Sequence, residues 1–372
     1  MSKPRLCVVI PSLGVGGTER QLLLLLNGLR DAFELHVICT TRAGEWAETA
    51  REVAQVEALG LRGGWDPRLR NALLRRFRTE CPDVVLTFMF GFDYAVNAAA
   101  RAAGVSVIVS GRRQCAGWKK PRHIRLQQKA NQLVDAIVAN CHAVAEFCAE
   151  QEGEALDRYT VIPNGIDASY FQGPVDTESV RREHGVPVGK RVVGIVGNLS
   201  PVNDHEMFVD VAQDLLARGQ SVHFLIVGQG PEEERVQRWI AERGIEADVT
   251  LLTSNPEIRD VYSMLDVAVL TSRSEGFPNV VMEAMASGKP VVSSAVGGVR
   301  ELISDDSLGT TISGRDPKLF ADAIERYLGD SALSKPTGQR AHEAMRDNFG
   351  VDRMVSGYRD LFEELLRENS KG

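Results

Sequence analysis

Twice in this chain a short apolar run breaks at a glycine turn and continues as an amphipathic helix. LCVVIPSLGVGG (6–17) leads into TERQLLLLLNGL, where Leu22, Leu25, Leu26 and Leu29 share one face and Thr18 is the expected N-cap. KRVVGIVGNLSPVNDH (190–205) leads into EMFVDVAQDLLARG in the same way. After each opening, apolar strands and helical segments alternate. In the first half the strands are FELHVICTT, DVVLTFMF, SVIVSGRR, DAIVAN and YTVIPNGID; in the second they are VHFLIVGQG, DVTLLTS and DVAVLTS. Strands that alternate with helices pair in parallel, and ligands then bind outside their carboxyl ends. The expected class is α/β, with two doubly wound domains. The polar, Gly/Pro-punctuated stretch 173–190 is the expected linker between them.

The first glycine turn has glycines at 14, 16 and 17, so it lacks the dinucleotide spacing G-x-G-x-x-G. Phosphate binding and plain strand–helix packing fit it equally well. Of 372 residues, 44% are apolar and 25% charged, the make-up of a globular protein. The six cysteines are scattered without metal spacing, the usage of a cytosolic protein with reduced thiols. No apolar run has the roughly 18 residues a membrane helix needs. The net charge of −7 is uneven, since residues 1–168 carry 21 Lys/Arg and 18 Asp/Glu.

Two segments of that half are markedly basic. One is 68–78, with Arg68, Arg70, Arg75, Arg76 and Arg78. The other is 112–129, which holds Arg112, Arg113, Lys119, Lys120, Arg122, Arg125 and Lys129 and no acid. A solvated helix face explains them; so does contact with an anionic bilayer or a lipid-linked acceptor, which places the chain in the cytoplasm and peripherally on a membrane's inner face. Nucleic acid is not an expected partner, because the overall charge is negative and no aromatic stacking platform is visible. Trp46, Trp65 and Trp239 are read as packing residues.

SRSEGFPNVVMEAMASGKPVV (272–292) carries the densest chemistry. It reads as strand end, tight turn, short helix and strand. Gly276 permits close backbone approach, Pro278 suits a first helical turn, and Gly288 ends the helix. Backbone N–H groups of 277–280 at the helix start favour an anion. Glu275 and Glu283, eight positions apart, can then accept hydrogen bonds from hydroxyls on either side of it. Diphosphate in the middle, sugar at one end and ribose at the other would fill such a site.

The segments GVGGTER, VIPNGID (161–167), GNLSPVNDH, IVGQGPEEE, YSMLDVAVLTS, SEGFPNVVMEAMASGKPVV and VGGVRELI together resemble the retaining glycosyltransferases of family 4. The resemblance implies the GT-B fold: an acceptor-side domain over 1–172, a nucleotide-sugar domain over 173–350 facing it across a cleft, and a helix at 351–372 returning to the first. It implies sugar transfer from a nucleotide diphosphate sugar, UDP- or GDP-linked, to a hydroxyl of a glycan or lipid-linked acceptor, with no metal or other cofactor. Glu275 then matches the glutamate on the donor sugar and Glu283 the one on the ribose. Gly276, Phe277, Pro278, Asn279 and Val280 match the turn that holds sugar and phosphate. Gly14, Gly16 and Gly17 match the phosphate and acceptor loop. Asn164 and Asp167 lie in a hinge-facing segment. Gly197 and Asn198 belong to the donor loop, but Asn198 and Asn203 stand where the family carries an arginine and a lysine for the leaving diphosphate. Arg273, Lys289 and Arg300 are the flanking cations that would substitute. Arg113 stands where many members have a histidine near the anomeric carbon. With Glu275, Arg113 and Asn203 form the expected catalytic set. A sugar-nucleotide-binding protein without turnover and a GT-B epimerase remain alternatives.

Overall fold

The computed structural model describes residues 3–88, 91–115, 117–254 and 256–370. The chain divides into two compact units, Met1–Gly165 with Val351–Gly372, and Ile166–Gly350. The division falls before the expected 172/173 boundary, and the last helix is part of the first unit.

In the first unit the elements run β1 (Arg5–Ile10), α1 (Gly17–Leu29), β2 (Glu34–Cys39), α2 (Ala47–Arg51), β3 (Gln55–Ala58), α3 (Leu69–Glu80), β4 (Val84–Thr87), α4 (Asp93–Ala103), β5 (Val107–Arg112), α5 (Pro121–Asn131), β6 (Ala136–Ala139), α6 (His142–Glu152) and β7 (Tyr159–Val161). The strands form one parallel sheet in the order β3-β2-β1-β4-β5-β6-β7. Leu6 to Ile10 are all fully buried, because helices cover both faces of β1 and leave no alternating polar side. The expected strand DVVLTFMF ends at Thr87; Met89 and Phe90 lie outside the described residues. Gly16, rather than Thr18, caps α1, with an extended backbone and no side-chain cap.

In the second unit come α7 (Thr177–Glu183), β8 (Arg191–Val196), α8 (His205–Ala217), β9 (Val222–Val227), α9 (Glu233–Glu242), β10 (Val249–Leu252), α10 (Ile258–Met264), β11 (Val267–Leu270), α11 (Asn279–Ala286), β12 (Val291–Ser294), α12 (Val299–Leu302), β13 (Thr310–Ile312), α13 (Pro317–Gly329) and α14 (Ser331–Asn348). Its parallel sheet has the order β10-β9-β8-β11-β12-β13. The expected linker is therefore no linker. It contains α7, which Asp176 caps by accepting from Ser179 N at 3.1 Å.

The final helix, α15 (Val351–Asn369), lays Met354, Val355, Tyr358 and Phe362 into the first unit's core. Gly28 on α1 allows this, since a Cβ there would meet Val355 Cγ2 at 2.3 Å. Phe362 packs edge-on against Phe33, with ring centroids 5.8 Å apart. No described helix is long and apolar enough to cross a membrane.

Candidate active site

In the second sheet the strand order reverses between β8 and β11, and the crevice outside their carboxyl ends is where a doubly wound fold binds ligands. The Gly197–Asp204 connection leaves β8 and the Thr271–Pro278 turn leaves β11, so the two sequence motifs meet at this point. Arg273 N donates to Val202 O at 2.8 Å, and Thr271 Oγ1 donates to Asn203 O at 3.1 Å. Glycines behind the first connection let backbone lie on backbone. A Cβ on Gly228 would sit 1.9 Å from Gly197 O, and one on Gly230 would sit 2.4 Å from Leu199 O.

The Glu275 turn is pinned from the β12 side. Gly298 N donates to Gly276 O at 2.7 Å, and Gly297 adopts a left-handed φ of +52°. A Cβ on Gly297 would approach Glu275 O to 2.2 Å. Pro278 is the N-cap of α11, one residue before the expected first turn. Phe277 is buried against Phe349, ring centroids 5.4 Å apart, and so anchors the turn in the core. Glu275 is half-buried; desolvation raises its carboxyl above the ordinary range, with Ser272 pulling the other way.

Glu283 lies one helical turn into α11 and is 6% exposed. The Tyr262 hydroxyl stands 3.3 Å from Glu283 Oε2 and 2.9 Å from Val280 O, fixing both carboxylate and helix start. Tyr262 was not singled out in the sequence, where it reads as one more apolar-face residue of α10.

The asparagines and flanking cations divide differently. Asn203 Nδ2 donates to Asn198 O at 2.9 Å, closing its own loop beneath Gly197. Asn198 itself is exposed. Lys289 lies at the amino end of β12, its Nζ 3.5 Å from Ser263 O, and burial lowers its pKa. It is at the wrong end of the sheet to substitute for a missing site cation. Arg300 donates to Ser313 Oγ at 3.0 Å. Arg273 pairs with Asp204, 3.2 Å from Oδ2, and Arg315, which sequence reasoning missed, pairs with the same carboxylate.

Gly14, Gly16, Gly17 and Arg113 belong to the first unit. Its β1–α1 connection is braced by Leu13 N donating to Ala43 O at 2.8 Å. A Cβ on Gly16 would meet the Glu19 carboxylate at 2.3 Å, so an acid overhangs this loop. An acid there weighs against a second negative charge at the loop, and Arg113 offsets it in part. Arg113 ends above the Phe88 ring, 5.0 Å from its centroid, and donates to Asn164 Oδ1. Burial lowers its pKa, opposed by Tyr358 and Glu19. Asn164 is thus a buried positioning partner. Asp167, in the second unit, accepts from Ser169 N at 3.0 Å and shapes its own turn.

The basic segment 112–129 is not one surface. Arg112 and Lys119 are buried on Glu152, at 3.0 and 3.3 Å, inside a network with Asn131 and Tyr159. Lys120, Arg122, Arg125 and Lys129 remain exposed. In 68–78, Arg68 pairs with Asp66 and Arg76 with Glu57. Trp65 is not a packing residue: it is 65% exposed, and with Trp118, at 60%, it flanks His123 at centroid distances of 5.8 and 6.1 Å. Trp46 and Trp239 do pack against their cores. Among the described residues, no three His, Cys, Asp or Glu side chains converge as a metal ion requires.

Two parallel sheets so wound, with chemistry gathered on the turns beyond their strands, define the GT-B glycosyltransferase fold. Residues 15–170 match the model of Glycosyltransferase Family 4, and 176–344 match that of Glycosyl transferases group 1. The chain belongs to glycosyltransferase family 4. It is 35% identical over 217 residues to the D-inositol 3-phosphate glycosyltransferase of Nocardia farcinica, a match that covers 56% of this chain and 48% of that protein. It is 27% identical over 254 residues to the lipopolysaccharide core biosynthesis mannosyltransferase LpcC of Rhizobium leguminosarum bv. viciae, covering 67% of this chain and 70% of LpcC. The chain spans about half the length of the inositol-phosphate relatives it matches. Among solved structures, Anabaena HepE in complex with UDP-glucose superposes with a TM-score of 0.86 at 21% identity, over 97% of this chain and 99% of that one.

Proposed function

We propose that this chain transfers a sugar from a nucleoside diphosphate sugar to a hydroxyl of a glycan or lipid-linked acceptor, with retention and without a metal. The observation that carries the reading is the β11–α11 segment. One turn, pinned by Gly297 and Gly298, presents Glu275, and the helix it opens presents Glu283 held by Tyr262. The helix start offers positive potential for phosphate, Glu283 accepts from ribose hydroxyls, and Glu275 accepts from the sugar. A raised pKa makes Glu275 a stronger hydrogen-bond acceptor. The bond from the anomeric carbon to the leaving diphosphate oxygen breaks, the acceptor oxygen bonds to the same face, and its proton passes to a phosphate oxygen. The protein's part is orientation and charge stabilisation. UDP and UDP-glucose complexes of HepE, and the sugar transfers named for LpcC and the inositol-phosphate enzymes, support this reading.

A thermal-shift screen of nucleoside diphosphates and their sugars, followed by NMR of the product's anomeric configuration, tests it. Stabilisation by one nucleotide series and a retained configuration are expected. Inversion, or stabilisation by none, defeats it. Glu283→Ala is expected to weaken donor binding roughly 10–100-fold, the loss of a charged hydrogen bond. Glu275→Ala is expected to reduce kcat more than affinity. Unchanged donor binding in Glu283→Ala, read by calorimetry, removes the ribose role.

The reading extends to a bilayer surface in the first unit. Trp65 and Trp118 leave the carboxyl edge of the sheet on the β3–α3 and β5–α5 connections, exposed beside Lys120, Arg122 and Arg125. Amphipathic rings with nearby cations suit an anionic interface. Flotation with anionic vesicles, lost in Trp65→Ala/Trp118→Ala, is the expected result; equal flotation with neutral vesicles refutes it.

A further inference from the structure

The second unit's connections at the carboxyl edge of its sheet are short of cations. Gly197–Asp204 has none, and neither has the connection after β10. After β9, Arg235 pairs with Glu232 and stacks on Trp239. A dianionic group at the β8/β11 crevice therefore has few partners, and the structure gathers two of them at one point. Arg273 follows β11, Arg315 follows β13, and both guanidiniums close on Asp204.

Asp204 is 4% exposed, with a left-handed backbone at φ +53°, and stands at the N-cap position of α8, its side chain making no capping hydrogen bond there. Arg273 places Nε 3.2 Å from Oδ2 and Nη2 3.3 Å from Oδ1. Arg315 reaches Oδ2 with Nη2. One carboxylate meets two guanidiniums, so the cluster keeps a net positive charge. The arginine side chains stay 57% and 43% exposed, so Arg273 is fixed along one edge, Arg315 at one nitrogen, and both are open to solvent elsewhere. The cluster is tied to the Glu275 turn, because Thr271 Oγ1 donates to Asp204 O at 3.0 Å and Arg273 precedes Glu275 by two residues.

We propose that Arg273 and Arg315, held by Asp204, form the phosphate-binding subsite for the diphosphate of a nucleoside diphosphate or its sugar. The assignment rests on the glycosyl-transfer reading and gives it the positive charge that Asn198 and Asn203 do not supply. Guanidinium forks bind phosphate oxygens two at a time, and a buried carboxylate that fixes them beforehand lowers the entropy lost on binding. As the bond to the sugar breaks, negative charge grows on the leaving diphosphate, and the same forks stabilise it. Asp204 is a positioning residue: it sets the two forks and touches no ligand.

Calorimetry of the full chain with UDP, GDP and the parent nucleosides separates the possibilities. Arg273→Gln and Arg315→Gln are each expected to weaken the bound nucleoside diphosphate roughly 10–100-fold while nucleoside affinity stays unchanged. Arg315→Lys is expected to recover part of the loss. Diphosphate affinity unchanged in both glutamine variants overturns the proposal and leaves glycosyl transfer standing. A parallel fall in nucleoside affinity also overturns it, since the substitutions would then distort the unit as a whole. Failure of the wild type to bind any nucleoside diphosphate overturns both readings together.

Discussion

The two units are wound alike, yet they differ in what carries most of the stabilisation of the turns beyond their strands. In the first unit a buried ion network carries it, with backbone contact added where Gly44 lies on Leu13. Arg112 at the end of β5 and Lys119 beyond it are buried on Glu152, with Asn131, Gln127 and Tyr159 filling the remaining hydrogen-bonding positions. Burial raises the Glu152 pKa, but Arg112, Lys119 and Asn131 outweigh it and leave the carboxyl below the ordinary range. In the second unit, backbone carries it. Gly228, Gly230 and Gly297 let neighbouring turns touch where any Cβ would collide. A buried ion network excludes ligand charge from its interior, whereas backbone-on-backbone packing leaves Glu275, Arg273 and Arg315 partly exposed at the rim. Equal topology thus yields one half built for rigidity beneath a surface and one built to expose chemistry.

Breaking the first unit's device is expected to have the largest effect. Glu152→Gln strands two buried cations and should cost about 3–5 kcal/mol. Urea unfolding followed by far-UV circular dichroism measures it; an unchanged midpoint would mean that the buried network does not hold the first unit together. Next is acid sensitivity in the second unit. Burial lowers His205 to about 4 from an ordinary 6.5, and neither ring nitrogen has a hydrogen-bond partner. Between those values the unfolded chain takes up a proton that the folded unit refuses. Stability is therefore complete above pH 6.5 and declines as pH falls toward 4, by on the order of 3 kcal/mol. Melting against pH should show a steeper decline in the wild type than in His205→Leu, where buried His223 and His36 still resist protonation. Gly297→Ala forces a left-handed alanine onto a carbonyl and should cost about 1–3 kcal/mol, with loss of nucleotide binding at temperatures where the chain is still folded. Retained binding would mean that the Glu275 turn tolerates displacement. Smallest is Trp65→Ala/Trp118→Ala, expected within about 0.5 kcal/mol of wild type in stability.

The strands of both sheets that read as continuous apolar runs were legible because burial on two faces leaves no other pattern. The polar edge strand β3 and the short β13 were not, since edges need little apolar content. α7 was hidden by Gly and Pro on either side, although Asp176 is a recognisable cap. The Glu275–Glu283 segment was legible as spacing, but Tyr262 and Gly297 were not. Their roles depend on what another strand brings alongside. Arg112 and Lys119 read as surface charge because their counterion lies at Glu152, tens of residues further along the chain. Trp65 misled in the other direction: a large ring suggests a core, and only the fold shows that none surrounds it. Arg315 had no local signal, for Asp204 is more than a hundred positions away.

The helix α15 completes a core begun by α1 and β5, so the first unit is interrupted in the chain by the whole of the second. A ribosome making this chain at about 5–20 residues per second therefore leaves the N-terminal sheet with an uncovered apolar flank for on the order of 10–40 s. During that interval the Val355, Tyr358 and Phe362 seats stand empty, and the nascent chain is the form most open to chaperone capture or aggregation.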